Sequence, residues 1–117
     1  MKVVKNEITI TELKKMAAHL FGDMVKAVVD VEREIFAVDA ELHSDLEAIL
    51  LERGSKQKDL WGINIYPGQK GGGFIEFDAM INMRPSQGNK SRGIKDKELR
   101  GKIIGIVRKR LSDDVSA

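Results

Sequence analysis

A chain of 117 residues is long enough for one domain, and its 42% of hydrophobic residues can supply a core. The absence of cysteine excludes a disulfide framework, a thiolate zinc site and a cysteine nucleophile. No apolar run approaches the ~18 residues of a membrane span, and the first residues lack the apolar stretch of a signal peptide. We therefore expect a single cytoplasmic domain over residues 1–117 that does not contact a membrane.

The net charge of +2 hides an uneven distribution along the chain. Residues 1–83 carry ten Lys and Arg against fourteen Asp and Glu, which gives a net charge of −4. Residues 84–110 carry ten against two, which gives +8, and Asp113 and Asp114 restore the total. A basic block in an otherwise acidic chain indicates an anionic partner.

The first predicted elements are a helix and a hairpin. Thr9 and Glu12 have the spacing of a capping box, so a helix is predicted from Thr9 to a stop at Gly22. Residues 24–32 and 35–41 each alternate between apolar and polar side chains, which predicts two strands. The short segment between them predicts a tight connection.

A helix, two strands and a last helix are predicted to follow. Ser44 and Glu47 form a second capping box, and Gly54 would end that helix. Alternation predicts strands over residues 60–66, with Trp61 in the core, and over residues 74–83, where the alternation is clearest. The last helix is predicted to begin after Asp96 as N-cap, and residues 112–117 are expected to fray.

This order predicts an α+β fold. We expect a four-stranded, mainly antiparallel sheet with three helices packed mostly on one face, in the order α-β-β-α-β-β-α. The other face of the sheet would then be open and polar. Gly101 and Gly105, four residues apart in the last helix, would let a neighbouring backbone approach closely.

The segment between the last strand and the last helix is predicted to bind an anion. Its Lys and Arg side chains can neutralise phosphate, its hydroxyl and amide groups can donate hydrogen bonds, and a helix N-terminus follows. The alternative is a solvated loop followed by the ordinary polar face of a helix. The predicted anion-binding residues are Arg84, Gln87, Asn89, Lys90, Ser91, Arg92 and Arg100.

The acidic side chains of the expected open sheet face form a second candidate site. Clustered carboxylates suit Mg²⁺ or Mn²⁺, and such an ion can support phosphoester hydrolysis. The same face could instead be solvated, or could contact a partner or a second copy of the chain. The candidate metal ligands are Asp30, Glu41, Glu76 and Asp78.

Two further residues have a functional and an ordinary interpretation. His43 lies between Glu41 and Asp45 at a helix entry, where it could act as a base or ligand or be a simple loop residue. Tyr66, at the end of a predicted strand, could stack on a ligand. We assign no catalytic residue and expect no cofactor.

Several segments resemble a small-protein family of prokaryotes whose function is unknown. They are residues 21–30, 41–43, 59–67, 74–78 and 84–89, and the likeness covers nearly the whole chain. The resemblance implies a stand-alone soluble domain. It implies no activity, cofactor or catalytic residue.

The sequence as a whole favours a non-catalytic module that binds phosphate groups. Nucleic acid or a nucleotide-like ligand would contact the region from Arg84 to Arg100. A metal-dependent phosphoester hydrolase and a protein-interaction or homodimerisation module are the alternatives, so the question of enzymatic activity stays open.

Overall fold

The computed structural model describes residues 1–112 and contains three helices and two sheets. The helices are α1 (Ile10–Leu20), α2 (His43–Glu52) and α3 (Lys97–Arg110). The strands are β1 (Lys2–Val4), β2 (Ile8–Thr9), β3 (Val25–Asp30), β4 (Ile35–Val38), β5 (Leu60–Ile65), β6 (Ile75–Glu76) and β7 (Leu111–Ser112). The main sheet has the order β1-β4-β3-β5-β6 and is antiparallel throughout, and β2 pairs with β7 in parallel.

The predicted α+β class, with three helices and a mainly antiparallel sheet, is confirmed. The main sheet has five strands instead of four, because residues 2–4 pair with residues 36–38. The predicted fraying from residue 112 is wrong at its first residue, since Ser112 pairs with Thr9. The rest of that predicted tail, residues 113–117, lies outside the described residues.

One face of the main sheet packs against α1 and α3. The strand register places Ala27 beside Val38 and Ile63, and all three side chains point to this face. Leu13 from α1 and Ile103 from α3 are fully buried in the same cluster. Trp61 also lies in this cluster, as the alternation of its strand predicts.

The other face is covered by α2, so the expectation of an open polar face is wrong. Val28, Ala37 and Leu60 are buried there against Leu46 and Leu50 of the helix. Consecutive residues of a strand point to opposite faces, so a strand in which consecutive residues are all buried is covered on both faces. The end of this face that carries Lys26, Asn64 and Glu76 lies beside an open concavity.

Two of the three predicted helix starts are confirmed. Thr9 caps α1 by accepting a hydrogen bond from the Glu12 N–H at 3.0 Å, and Asp96 caps α3 in the same way. The prediction of a capping box at Ser44 is wrong, because the N-cap of α2 is Leu42, two residues earlier, and it makes no side-chain cap. Its first residue, His43, is instead held by a hydrogen bond with the Ile63 carbonyl.

The strand predicted over residues 74–83 is wrong beyond Glu76. Only Ile75 and Glu76 pair with β5, and residues 80–82 form a 3₁₀ turn that packs over Gly62. A Cβ added to Gly62 would lie 2.5 Å from the Cβ of Ala79, so a larger residue would exclude the turn. The glycine in β5 therefore decides where the following segment leaves the sheet.

The close approach expected at Gly101 and Gly105 does not occur. A Cβ added at either position would meet nothing within 4 Å, and both glycines are exposed. Among residues 1–112, no helix combines the length and apolar character needed to cross a membrane.

Candidate functional site

The loop of residues 84–94 is organised around the side chain of Asn89. Its Nδ2 donates to the carbonyls of Asn82 at 2.6 Å and Gly93 at 2.7 Å, and its Oδ1 accepts from the Lys95 N–H at 3.0 Å. The backbone of Asn89 pairs with that of Arg84 in an antiparallel bridge. Asn89 is only 4% exposed, so its amide holds the loop closed.

Arg84 is also part of this internal framework. Its Nε and Nη1 donate to the carbonyls of Ile81 and Gln57 at 3.0 and 2.7 Å, and its Nη2 donates to Leu60. The guanidinium stacks on the ring of Trp61, with 4.6 Å between its central carbon and the ring centre. An anion could bind Arg84 only by displacing these contacts.

Glu47 of α2 supplies the negative charge that lies beside the buried guanidinium of Arg84. Its Oε2 lies 3.5 Å from Nη2 of Arg84, and both side chains are largely buried. Burial lowers the pKa of Arg84, and the nearby Glu47 carboxylate opposes that effect. The pair links α2 to the start of the loop.

Asn82 lies outside the predicted anion-binding and metal-binding sets, and its side chain completes the edge of β5. Its Oδ1 accepts from the Gly62 N–H at 2.8 Å, and its Nδ2 donates to the Gly62 carbonyl at 2.9 Å and to the Arg92 carbonyl at 3.0 Å. The side-chain amide thus replaces the neighbouring strand that ends at Glu76. The sequence feature that could have indicated this role is an amide side chain within a segment of alternating apolar residues.

Four polar side chains outside this framework, together with Phe77 and Ile94, line an open cleft of about 590 Å³, here called the cationic cleft. The four polar side chains are Lys90, Ser91, Lys95 and Arg100. Lys95 is positioned by the bond from its N–H to Asn89, and Arg100 reaches back from α3 to donate to the Ile94 carbonyl at 2.9 Å. Within residues 1–112, no ion pair uses any of the three basic side chains.

The seven predicted anion-binding residues are therefore divided among different surroundings. Lys90, Ser91 and Arg100 line the cationic cleft, whereas Arg84 and Asn89 form the buried framework. Gln87 lies outside the cleft and donates to the Lys58 carbonyl at 3.2 Å. Lys95 joins the cleft although it was absent from the predicted set.

Arg92 turns away from the cationic cleft. Its Nε lies 2.8 Å from Oδ1 of Asp78, and both side chains are about half exposed. It lines a second concavity of about 600 Å³ at the open end of the sheet, here called the His43 pocket. The Asp78 carboxylate thus neutralises the positive charge of Arg92, which the sequence predicted would bind an anion.

The His43 pocket contains a linked set of polar groups. Nε2 of His43 lies 2.8 Å from the Ile63 carbonyl and must carry the hydrogen, because a carbonyl only accepts. Glu76 accepts hydrogen bonds from Asn64 at 2.8 Å and from the Tyr66 hydroxyl at 3.1 Å. Burial and the neighbouring Glu76 raise the pKa of Tyr66.

The four candidate metal ligands are not brought together. Glu76 and Asp78 line the His43 pocket, but Asp30 lies four residues along β3 from the paired Lys26 and Asn64, about 13 Å away along the strand. Asp30 is fully buried and accepts from Ser55 Oγ at 2.6 Å. Among residues 1–112, no group of three His, Asp or Glu side chains could hold a metal ion.

Acidification is expected to destabilise the fold through His43. Burial lowers the pKa of His43 from its ordinary value of 6.5. At pH values between the lowered pKa and the ordinary one, the unfolded chain therefore binds more protons than the folded chain. The stability contributed by neutral His43 is present above about pH 6.5 and is lost as the pH falls toward the lowered folded-state pKa. Denaturant unfolding at several pH values measures this slope.

The matched variants are His43→Gln and His19→Gln. The first should reduce the loss of stability on acidification, because glutamine removes the titrating group but keeps an amide donor. The second removes the chain's other histidine from an exposed position and serves as the control. An unchanged pH slope in His43→Gln would show that His43 does not cause the loss.

Comparison with known proteins identifies a family without assigning a function. The family described as "Protein of unknown function (DUF5674)" matches residues 2–110. Neither the curated proteins nor the solved structures gave a match. Because the match covers nearly the whole chain, the protein belongs to the DUF5674 family.

Proposed function

We propose that this protein is a non-catalytic binding module that engages phosphate groups of nucleic acid or a nucleotide-like ligand through the cationic cleft. The observation that carries the proposal is the group of Lys90, Lys95 and Arg100, which line one cleft and form no ion pair within residues 1–112. Three unpaired cations beside a serine hydroxyl match the charge and hydrogen-bonding needs of phosphate. The cytoplasm remains the proposed location.

The rigid surroundings of the cleft support this proposal. Asn89 holds the backbone on both sides of Lys90 and Ser91, and its Oδ1 fixes the N–H of Lys95. A preorganised loop loses less conformational entropy when it binds a ligand than a free loop does. The buried framework thus has a functional consequence without contacting the anion itself.

Calorimetric titration with inorganic pyrophosphate tests the proposal. Lys90→Ala and Arg100→Ala should each weaken binding by about tenfold, because each removes a charge-assisted contact. Raising the KCl concentration from about 20 to about 200 mM should weaken binding to the unmodified protein, because salt screens exposed charges.

Two controls make this experiment specific to the cationic cleft. Lys5→Ala removes an exposed charge near β2, which pairs with the strand at the far end of α3. Arg92→Ala removes a cation of the same loop that is already paired with Asp78. Both variants should bind pyrophosphate like the unmodified protein, and an equal loss in all four variants would reject the cleft as the site.

A further inference from the structure

The cationic cleft adjoins a second cleft of the same volume, about 590 Å³, here called the Trp61 cleft. The two share Gly88, Ile94 and Lys95 as lining residues. Their other walls differ in chemistry. The cationic cleft adds Lys90, Arg100 and one apolar side chain, Phe77, whereas the Trp61 cleft adds three apolar side chains beside Lys58 and polar groups. A single ligand that occupied both would need an anionic end and an apolar end.

The apolar wall of the Trp61 cleft is formed by Val31, Trp61 and Leu99. Trp61 is 5% exposed and its ring is partly covered by the Arg84 guanidinium, so a ligand would contact only the rim of the indole that is left free. Leu99 lies in the first turn of α3, one residue before Arg100 of the cationic cleft. The helix therefore contributes to both clefts from adjacent positions.

Polar groups at the rim of the Trp61 cleft suit a heterocycle better than an alkyl chain. Gln87 and Asp96 line this cleft together with its apolar wall. Within residues 1–112, the hydrogen bonds of the Asp96 side chain all use Oδ1, which leaves Oδ2 to accept from an N–H of a ligand. A flat ring with polar edges satisfies both the apolar wall and these groups.

We propose that the two clefts together bind a free nucleoside monophosphate, with its phosphate in the cationic cleft and its base in the Trp61 cleft. This inference rests on the proposed phosphate binding and adds the class of ligand. Lys95, which lines both clefts, lies where the two parts of such a ligand would join. Each cleft is within the size range of small-molecule sites.

The chain contains one tryptophan, so its intrinsic fluorescence reports directly on the Trp61 cleft. The probes are AMP, ribose 5-phosphate and inorganic phosphate, and binding is measured in parallel by calorimetry. AMP should change the Trp61 fluorescence saturably and bind about tenfold or more tightly than ribose 5-phosphate. The two ligands without a base should bind more weakly and leave the fluorescence nearly unchanged.

Leu99→Ala separates the two clefts. It should weaken AMP binding by about fivefold while leaving phosphate binding unchanged, because it removes apolar contacts only. Its melting temperature and its phosphate affinity show whether the variant is folded. Gln87→Ala, at an exposed position, should weaken AMP binding in the same selective way.

The possible failures are distinguishable. Equal affinities for AMP, ribose 5-phosphate and phosphate would overturn the base site and leave the phosphate site standing. Absence of binding by all three would overturn both proposals. An oligoadenylate of about ten nucleotides that bound more tightly than AMP would reject a free nucleotide as the ligand in favour of a strand.

Discussion

Replacing Arg84 by alanine is expected to lower the free energy of unfolding by about 3–5 kcal/mol. The substitution removes a buried guanidinium that donates to the carbonyls of Ile81, Gln57 and Leu60. It also leaves the Glu47 carboxylate without its opposite charge and the Trp61 ring without its stacked partner. Urea denaturation of the unmodified and variant proteins measures the difference.

Arg92→Ala is the matched control for this prediction. Arg92 belongs to the same loop and forms an ion pair with Asp78, but the two side chains are 55% and 43% exposed. An exposed pair contributes at most about 1 kcal/mol, because water and salt screen it. Equal destabilisation by Arg84→Ala and Arg92→Ala would contradict the structural role assigned to Arg84.

Asn82→Ala is expected to have an effect of similar size, about 3–5 kcal/mol. The variant leaves the N–H and carbonyl of Gly62 and the carbonyl of Arg92 without their hydrogen-bond partner. Each buried polar group that loses its partner costs about 1–3 kcal/mol, and Asn82 itself is fully buried. The measurement is again the free energy of unfolding from urea denaturation.

Two further variants separate the Asn82 amide from its position. Asn82→Asp keeps an acceptor for the Gly62 N–H but turns a carboxylate toward two carbonyls, so it should be at least as destabilising as alanine. Asn6→Ala, at an exposed position, should change stability by less than about 0.5 kcal/mol. Wild-type stability in Asn82→Asp would disprove the donor role of the amide.

The parts of the fold that depend on local sequence were predictable. Thr9 and Asp96 cap their helices through side-chain bonds to residues two or three positions away, and β3 and β4 are neighbours in the chain that pair as a hairpin. Residues 74–83 show the limit of such patterns. Their departure from the sheet depends on Gly62 and Asn82, which are 20 residues apart and satisfy each other.

The candidate site was partly predictable for the same reason. The basic block identified a segment from which Lys90, Ser91 and Arg100 line one cleft. Local sequence could not show that the Arg84 guanidinium donates its hydrogen bonds to the carbonyls of residues 57 and 60, or that Asp78 forms an ion pair with Arg92. Which cations remain unpaired is decided by long-range contacts, which no spacing rule reports.

Amide NMR during a titration with inorganic phosphate tests phosphate binding at the cationic cleft most directly. We expect saturable shifts concentrated at residues 88–100, including the N–H groups of Lys90, Ser91 and Lys95, with little change around His43 and Tyr66. These shifts should disappear in the Lys90→Ala, Arg100→Ala double variant. Shifts centred on the His43 pocket, or no saturable shift at residues 88–100, would contradict binding at this cleft.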